Sequence, residues 1–215
     1  MNEVLLLTGG RGHPPAASAA SFDAILGDVD LRVDASADLE AGLRRLDPER
    51  HALLAVNALH HTASLDRPDD EAAAHGCTLS AAGRAAIAEW HDAGHPILSL
   101  HTGIICFDDW PWWADVLGGR WVWGRSNHPP IGTVDVDLDG GGFSVTDECY
   151  QDLDVAPDVE VIARAAGGHP LAWVRTTGPG AVGVDLLGHD ARSLDHPGHR
   201  RLLTGLLRRL LEVRP

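Results

Sequence analysis

The chain carries 13 histidines, and five of them stand where apolar runs end. His13 follows "EVLLLTGGRG", His60 and His61 follow "ALLAVNAL", His101 ends "PILSL", and His189 follows "AVGVDLLG". Imidazole changes charge near neutral pH, so such residues can move protons or bind a metal through a ring nitrogen. Two chemistries fit the pattern. In one, an imidazole such as His101 or His189 acts as a general acid or base. In the other, His60, His61, His101 and His189 supply ligands to a divalent ion such as zinc, with at most one of the adjacent pair facing the others. Asp190, next to His189, is placed either to fix an imidazole tautomer or simply to cap a turn. The ordinary alternatives are a histidine packed at a strand end and a histidine pair solvated in a polar loop.

The elements that must position these residues can be read from the same runs. "EVLLLT" (3–8), "LRVD" (31–34), "ALLAVN" (52–57), "PILSL" (96–100) and "AVGVDLL" (181–187) read as strands, most of them apolar throughout. Helices are expected over 16–27, over 36–46 with Ser36 as N-cap, from Ser80 to about His91, and over 197–212 with a leucine stripe. "DDWPWWADVLGG" suggests a short helix with Pro111 in its first turn. Between roughly 131 and 175, "IGTVDVDL", "FSVTD", "VEVIAR" and "PLAWVR" alternate like antiparallel or edge strands. The expected architecture is a single α/β domain over residues 1–215. It is a three-layer α/β/α sandwich with a mostly parallel central sheet and antiparallel strands in the second half. In such sheets function collects at the carboxyl ends of the strands, so the strand-end histidines should converge on one edge.

Composition narrows the partners. With 17 Arg and Lys against 31 Asp and Glu in 215 residues, the formal charge is −14. That surface repels nucleic-acid phosphates and anionic membranes. The three cysteines form no disulfide framework and no CxxC pair, so a soluble cytoplasmic domain is expected. The "GGRG" cluster lacks GxGxxG spacing, and no nucleotide cofactor is expected. Trp110, Trp112, Trp113, Trp121 and Trp123 read mostly as core, with one, such as Trp110, at the rim where it can stack on a sugar face. A small-molecule ligand is the expected partner, and a homo-oligomer is left open.

Several segments in order, "LLLTGGRGH", "GHPILSLHTG", "WADVLGGRW", "VTDECY", "HPLAWVR" and "GVDLLGHD", resemble the ThuA-like (trehalose utilisation) family over nearly the whole chain. That family is similar to class I glutamine amidotransferases. The resemblance implies a flavodoxin-like fold and a role in carbohydrate metabolism, in which the ligand is a sugar or an oxidised (keto) sugar. It also implies that Glu148 and Tyr150 of "DECY" lie at the cleft, Glu148 as a proton shuttle or metal ligand and Tyr150 beside the substrate, with His13 approaching through its glycine neighbours. His128 resembles a family histidine. Amidotransferases carry a nucleophilic Cys at the strand-to-helix elbow. Here "LHTG" puts His101 there, and Cys106 lies too far along to replace it, so no cysteine nucleophile is expected. The resemblance therefore implies an enzyme that uses His101, Glu148 and His189, with a noncatalytic carbohydrate-binding or regulatory module as the alternative. "DGGGFSVTDECY" is more compact than in relatives, so the pocket rim should differ.

Overall fold

The apolar runs do form the middle of the sheet. The computed structural model describes residues 2–10, 15–62, 78–176 and 178–212. Its strands are β1 (Glu3–Gly10), β2 (Arg32–Ser36), β3 (His51–Leu59), β4 (Ile97–Leu100), β5 (Gly119–Arg120) and β6 (Gly132–Leu138). These are followed by β7 (Phe143–Asp147), β8 (Asp154–Val155), β9 (Glu160–Ala165), β10 (Pro170–Arg175) and β11 (Val182–Asp185). Nine of them make one sheet in the order β2-β1-β3-β4-β11-β10-β9-β6-β7, while β5 and β8 pair separately. From β2 to β11 every pairing is parallel, and from β11 to β7 every pairing is antiparallel.

Six α-helices are described: α1 (Pro15–Leu26), α2 (Leu39–Leu43), α3 (Ala81–Asp92), α4 (Pro111–Leu117), α5 (Ala191–Leu194) and α6 (Pro197–Glu212). The sheet divides them because successive strand residues face opposite sides. Leu5, Leu7, Leu54 and Val56 pack with α2, α3 and α4 through Leu39, Ile87 and Trp113. Val4, Leu6, Leu53 and Leu98 pack with Phe22 and Ile25 of α1 and Leu203 and Leu207 of α6. Burying each such leucine side chain contributes about 1.5–3 kcal/mol. This is the expected three-layer sandwich. On α6 the stripe Leu202, Leu203, Leu206, Leu207 and Leu210 is buried, while Arg200 and Arg209 reach outward to Asp28 and Glu160.

One cap differs from expectation. Ser36 ends β2, paired with Leu7, so its backbone is committed to the sheet. Asp38 caps α2 instead, its Oδ1 accepting from Ala41 N at 2.9 Å, and the helix is correspondingly shorter than 36–46. Ser80 does cap α3, and Pro111 does open α4. Among the described residues no helix is long and apolar enough to cross a membrane.

Candidate functional site

The elbow after β4 is built around a strained histidine. β4 runs into a 3₁₀ turn, His101–Ile104, and His101 has φ +48°, a left-handed conformation unusual for a residue with a side chain. Strain of this kind persists only where the surroundings over-determine it. Gly103 shows how tightly the turn is held, since a Cβ there would lie 2.3 Å from the Val56 carbonyl oxygen. His101 is fully buried. Its Nδ1 lies 3.0 Å from the Leu186 carbonyl oxygen, which can only accept, so Nδ1 carries a proton. Nε2 therefore points the other way. Tyr150 stacks on this ring (centroids 5.0 Å apart, planes at 30°), and its hydroxyl donates to Nε2 at 3.2 Å.

Two further loops reach the same nitrogen. Glu148 follows β7 and His189 follows β11, strands that run in the same direction as β4. Nε2 of His101 lies 3.3 Å from Nδ1 of His189 and 3.5 Å from Oε2 of Glu148, and that oxygen is 3.5 Å from the His189 nitrogen. Burial pushes the Glu148 carboxyl up, but its hydrogen bond with His189 and the fields of the neighbouring imidazoles outweigh this and hold it below its ordinary range. The Glu148 hydrogen bond raises His189 against the opposing effect of burial. Burial, followed by the charge of Glu148, keeps Tyr150 well above the usual phenol value, so it stays a neutral donor.

Buried carboxylates hold these loops in place. Asp147 accepts from Gly188 N at 2.7 Å through Oδ2, and from Glu148 N at 2.7 Å and His189 N at 3.3 Å through Oδ1. It therefore ties the end of the edge strand β7 to the loop after β11, four strands away in the sheet order. Gly188, at φ +112°, takes a conformation that side chains rarely adopt. Below it Asp185 accepts from Leu187 N at 3.0 Å and pairs with the fully buried His199 at 3.0 Å, whose other ring nitrogen lies 2.9 Å from Ser193 Oγ.

The remaining candidates lie elsewhere. His13 is outside the described residues. The His60 carbonyl accepts from Phe107 N, and the His61 ring packs on Trp123 with centroids 4.8 Å apart. Neither belongs to the group formed by His101, Glu148 and His189. Trp110 stacks on Trp112 and lines a cavity of about 720 Å³ on the α4 side of the sheet, together with Trp121 and Trp123. Trp121 also meets Tyr150 edge-on at 5.2 Å, so this cavity and the histidine centre share a wall. Asp190 caps α5 through Arg192 N and pairs with the Arg192 side chain. Cys106 is buried, its thiol donating to the Ala58 carbonyl and pushed up to about 12 by burial. His128, with Nδ1 3.7 Å from Glu148 Oε1, joins the rim more closely than the residues alone suggested. Asp147 and the Asp185–His199 pair gave no sequence signal beyond a carboxylate at the end of each strand.

Comparison with known proteins agrees with this fold. The family model for trehalose utilisation, ThuA, matches residues 3–208. A putative ThuA-like protein from Parabacteroides merdae is 15% identical, with a TM-score of 0.75 over 98% of this chain and 90% of its own. A putative ThuA-like protein from Bacteroides uniformis is 16% identical, with a TM-score of 0.66 over 96% and 90%. A glutamine amidotransferase from Thermotoga maritima shares the fold at 12% identity, with a TM-score of 0.59 over 98% of each chain. No curated protein matches the sequence. The chain belongs to the ThuA, or trehalose utilisation, family.

Proposed function

We propose that this chain is an enzyme of carbohydrate metabolism that acts on a sugar or an oxidised (keto) sugar without a cysteine nucleophile. The family, trehalose utilisation, supports a carbohydrate ligand. The observation that carries the reading is the meeting of His101 Nε2, Glu148 Oε2 and His189 Nδ1, from three separate loops, at a strained elbow. An imidazole and a carboxylate can take a proton from a sugar hydroxyl or from the carbon beside a keto group, and return it. Tyr150, whose hydroxyl donates to His101 Nε2 at 3.2 Å, holds the imidazole in this orientation. The same three groups can instead share a divalent ion, which would polarise the carbonyl or activate water. Cys106 takes no part, because a thiol held at about 12 and bonded to backbone supplies no thiolate at neutral pH.

One observation favours a second reading, a noncatalytic carbohydrate-binding or regulatory module. The tryptophan-lined cavity offers aromatic faces to a sugar with no help from the histidines. Turnover separates the two. Trehalose, and disaccharides oxidised to a ketone at one ring carbon, should be followed by NMR with the wild type and with His101→Ala. Conversion by the wild type, falling about 10²–10⁴-fold in the variant while a melting curve shows it still folded, is expected. Saturable binding with no conversion would overturn the enzyme reading in favour of the module.

A further inference from the structure

We propose that His101 Nε2, Glu148 Oε2 and His189 Nδ1 are the protein ligands of one tetrahedral divalent ion of the zinc class. The inference rests on the reading that this centre is the reactive one, and adds to it the identity of the group held there.

The first argument is the shape of the triangle. Its edges are 3.3, 3.5 and 3.5 Å. The three edges are almost equal, and they are long for hydrogen bonds, whose usual range is about 2.7–3.2 Å. A tetrahedron has an edge about 1.63 times its centre-to-corner distance, so ligands at about 2.1 Å stand about 3.4 Å apart. One face of an octahedron at the same distance would need edges of about 3.0 Å. The observed edges match the tetrahedral spacing.

The second argument is the state of the donors. Nδ1–H of His101 is spent on the Leu186 carbonyl. That is the outer-shell arrangement that fixes a ligating imidazole, and it turns Nε2, which accepts from the Tyr150 hydroxyl, toward Glu148 and His189. Among the described residues no arginine pairs with Glu148, and its charge faces imidazoles and the Tyr150 hydroxyl. Asp147 fixes the backbone of both Glu148 and His189, which sets the triangle before any ion arrives. Three protein ligands leave a fourth corner for substrate or water, the ligand count of a catalytic rather than a structural zinc site. Two imidazoles and one carboxylate form a donor set that suits zinc over calcium or magnesium.

Chelator-stripped protein should be titrated with Zn²⁺ by calorimetry, with Co²⁺ absorption as a check on coordination. One ion per chain is expected, with the intense visible bands of tetrahedral cobalt. Binding should weaken at least about 100-fold in His101→Ala, in His189→Ala and in the isosteric Glu148→Gln. Melting curves on each variant show that it remains folded, and Glu148→Gln keeps the test valid if an alanine variant does not fold. No stoichiometric binding by the wild type, or binding that survives Glu148→Gln and His189→Ala unchanged, would overturn the inference. Sugar turnover by a metal-free wild type that still depends on His101 would sink the metal and leave the enzyme reading intact. Bound zinc without turnover would do the reverse.

Discussion

Two histidine–carboxylate clusters sit at opposite edges of the same sheet, and the backbone sets them up in opposite ways. At the amino edge, His51 faces Asp34, with Glu3 close by. Its Nδ1 accepts from Asp47 N at 3.1 Å, so the proton lies on Nε2, which donates to Asp34 at 3.2 Å. Arg45 and Arg50 also pair with Asp34, and Arg50 pairs with Glu3. No bare nitrogen and no unmatched carboxylate remain, and the cluster is a structural ion-pair network. At the carboxyl edge the backbone offers His101 an acceptor instead of a donor, and Nε2 turns inward toward Tyr150, Glu148 and His189. Residue types alone would rank the two clusters together. One backbone partner and two arginines separate them.

The contrast is broken most severely if removing the two histidines has the same effect. His101→Ala should cost about 10²–10⁴-fold in turnover and abolish zinc binding. His51→Ala should leave both alone and destabilise by about 1–3 kcal/mol, because it empties the space of a fully buried ring and removes its bonds to Asp47 N and Asp34. Equal loss of zinc in the two variants, measured by dialysis and metal analysis, would contradict the assignment. Next in size is Asp147→Asn. An amide has one acceptor oxygen, so it cannot receive Gly188 N on one side and Glu148 N and His189 N on the other. Zinc affinity should fall about 10–100-fold by calorimetry, with fold retained. Unchanged affinity would mean that Asp147 does not hold the centre.

A smaller effect concerns His199, which faces Asp185 on β11, Ser193 on α5 and, further off, the charge of Asp147. Burial alone would lower it, but Asp185 raises it above its ordinary value of 6.5. Its contribution to stability is therefore complete below about pH 6.5 and is lost as the pH rises through the higher folded value. Melting temperature should decline over that alkaline range, and His199→Gln should flatten the decline; an equal slope in the variant would exclude His199 as the cause. The smallest change expected is Arg50→Ala. Its exposed ion pairs are screened by water, so melting temperature should barely move and zinc binding should not move at all.

Much of this was legible in the sequence, and the limits have physical causes. Apolar runs revealed β1, β3 and β4 because a parallel strand is buried on both faces, and the leucine stripe revealed α6. His101 stood out because a strand end and a glycine turn flank it. The partnerships did not show. Asp190, adjacent to His189, is taken by Arg192 two residues on, whereas Asp147, 42 residues away from His189, holds that residue's backbone. His60 and His61 follow β3 as His101 follows β4, yet the backbone turns the His61 ring onto Trp123 instead. Sequence gives the edge at which a side chain arrives; which nitrogen it turns inward depends on a carbonyl or an N–H supplied by a distant strand.

The difference between the two clusters can be read most directly from crystals soaked in zinc and measured at the zinc absorption edge. The account predicts one anomalous peak about 2.1 Å from His101 Nε2, Glu148 Oε2 and His189 Nδ1, and none among Glu3, Asp34 and His51. A peak confined to the amino-edge cluster, or no peak among His101, Glu148 and His189, would contradict it.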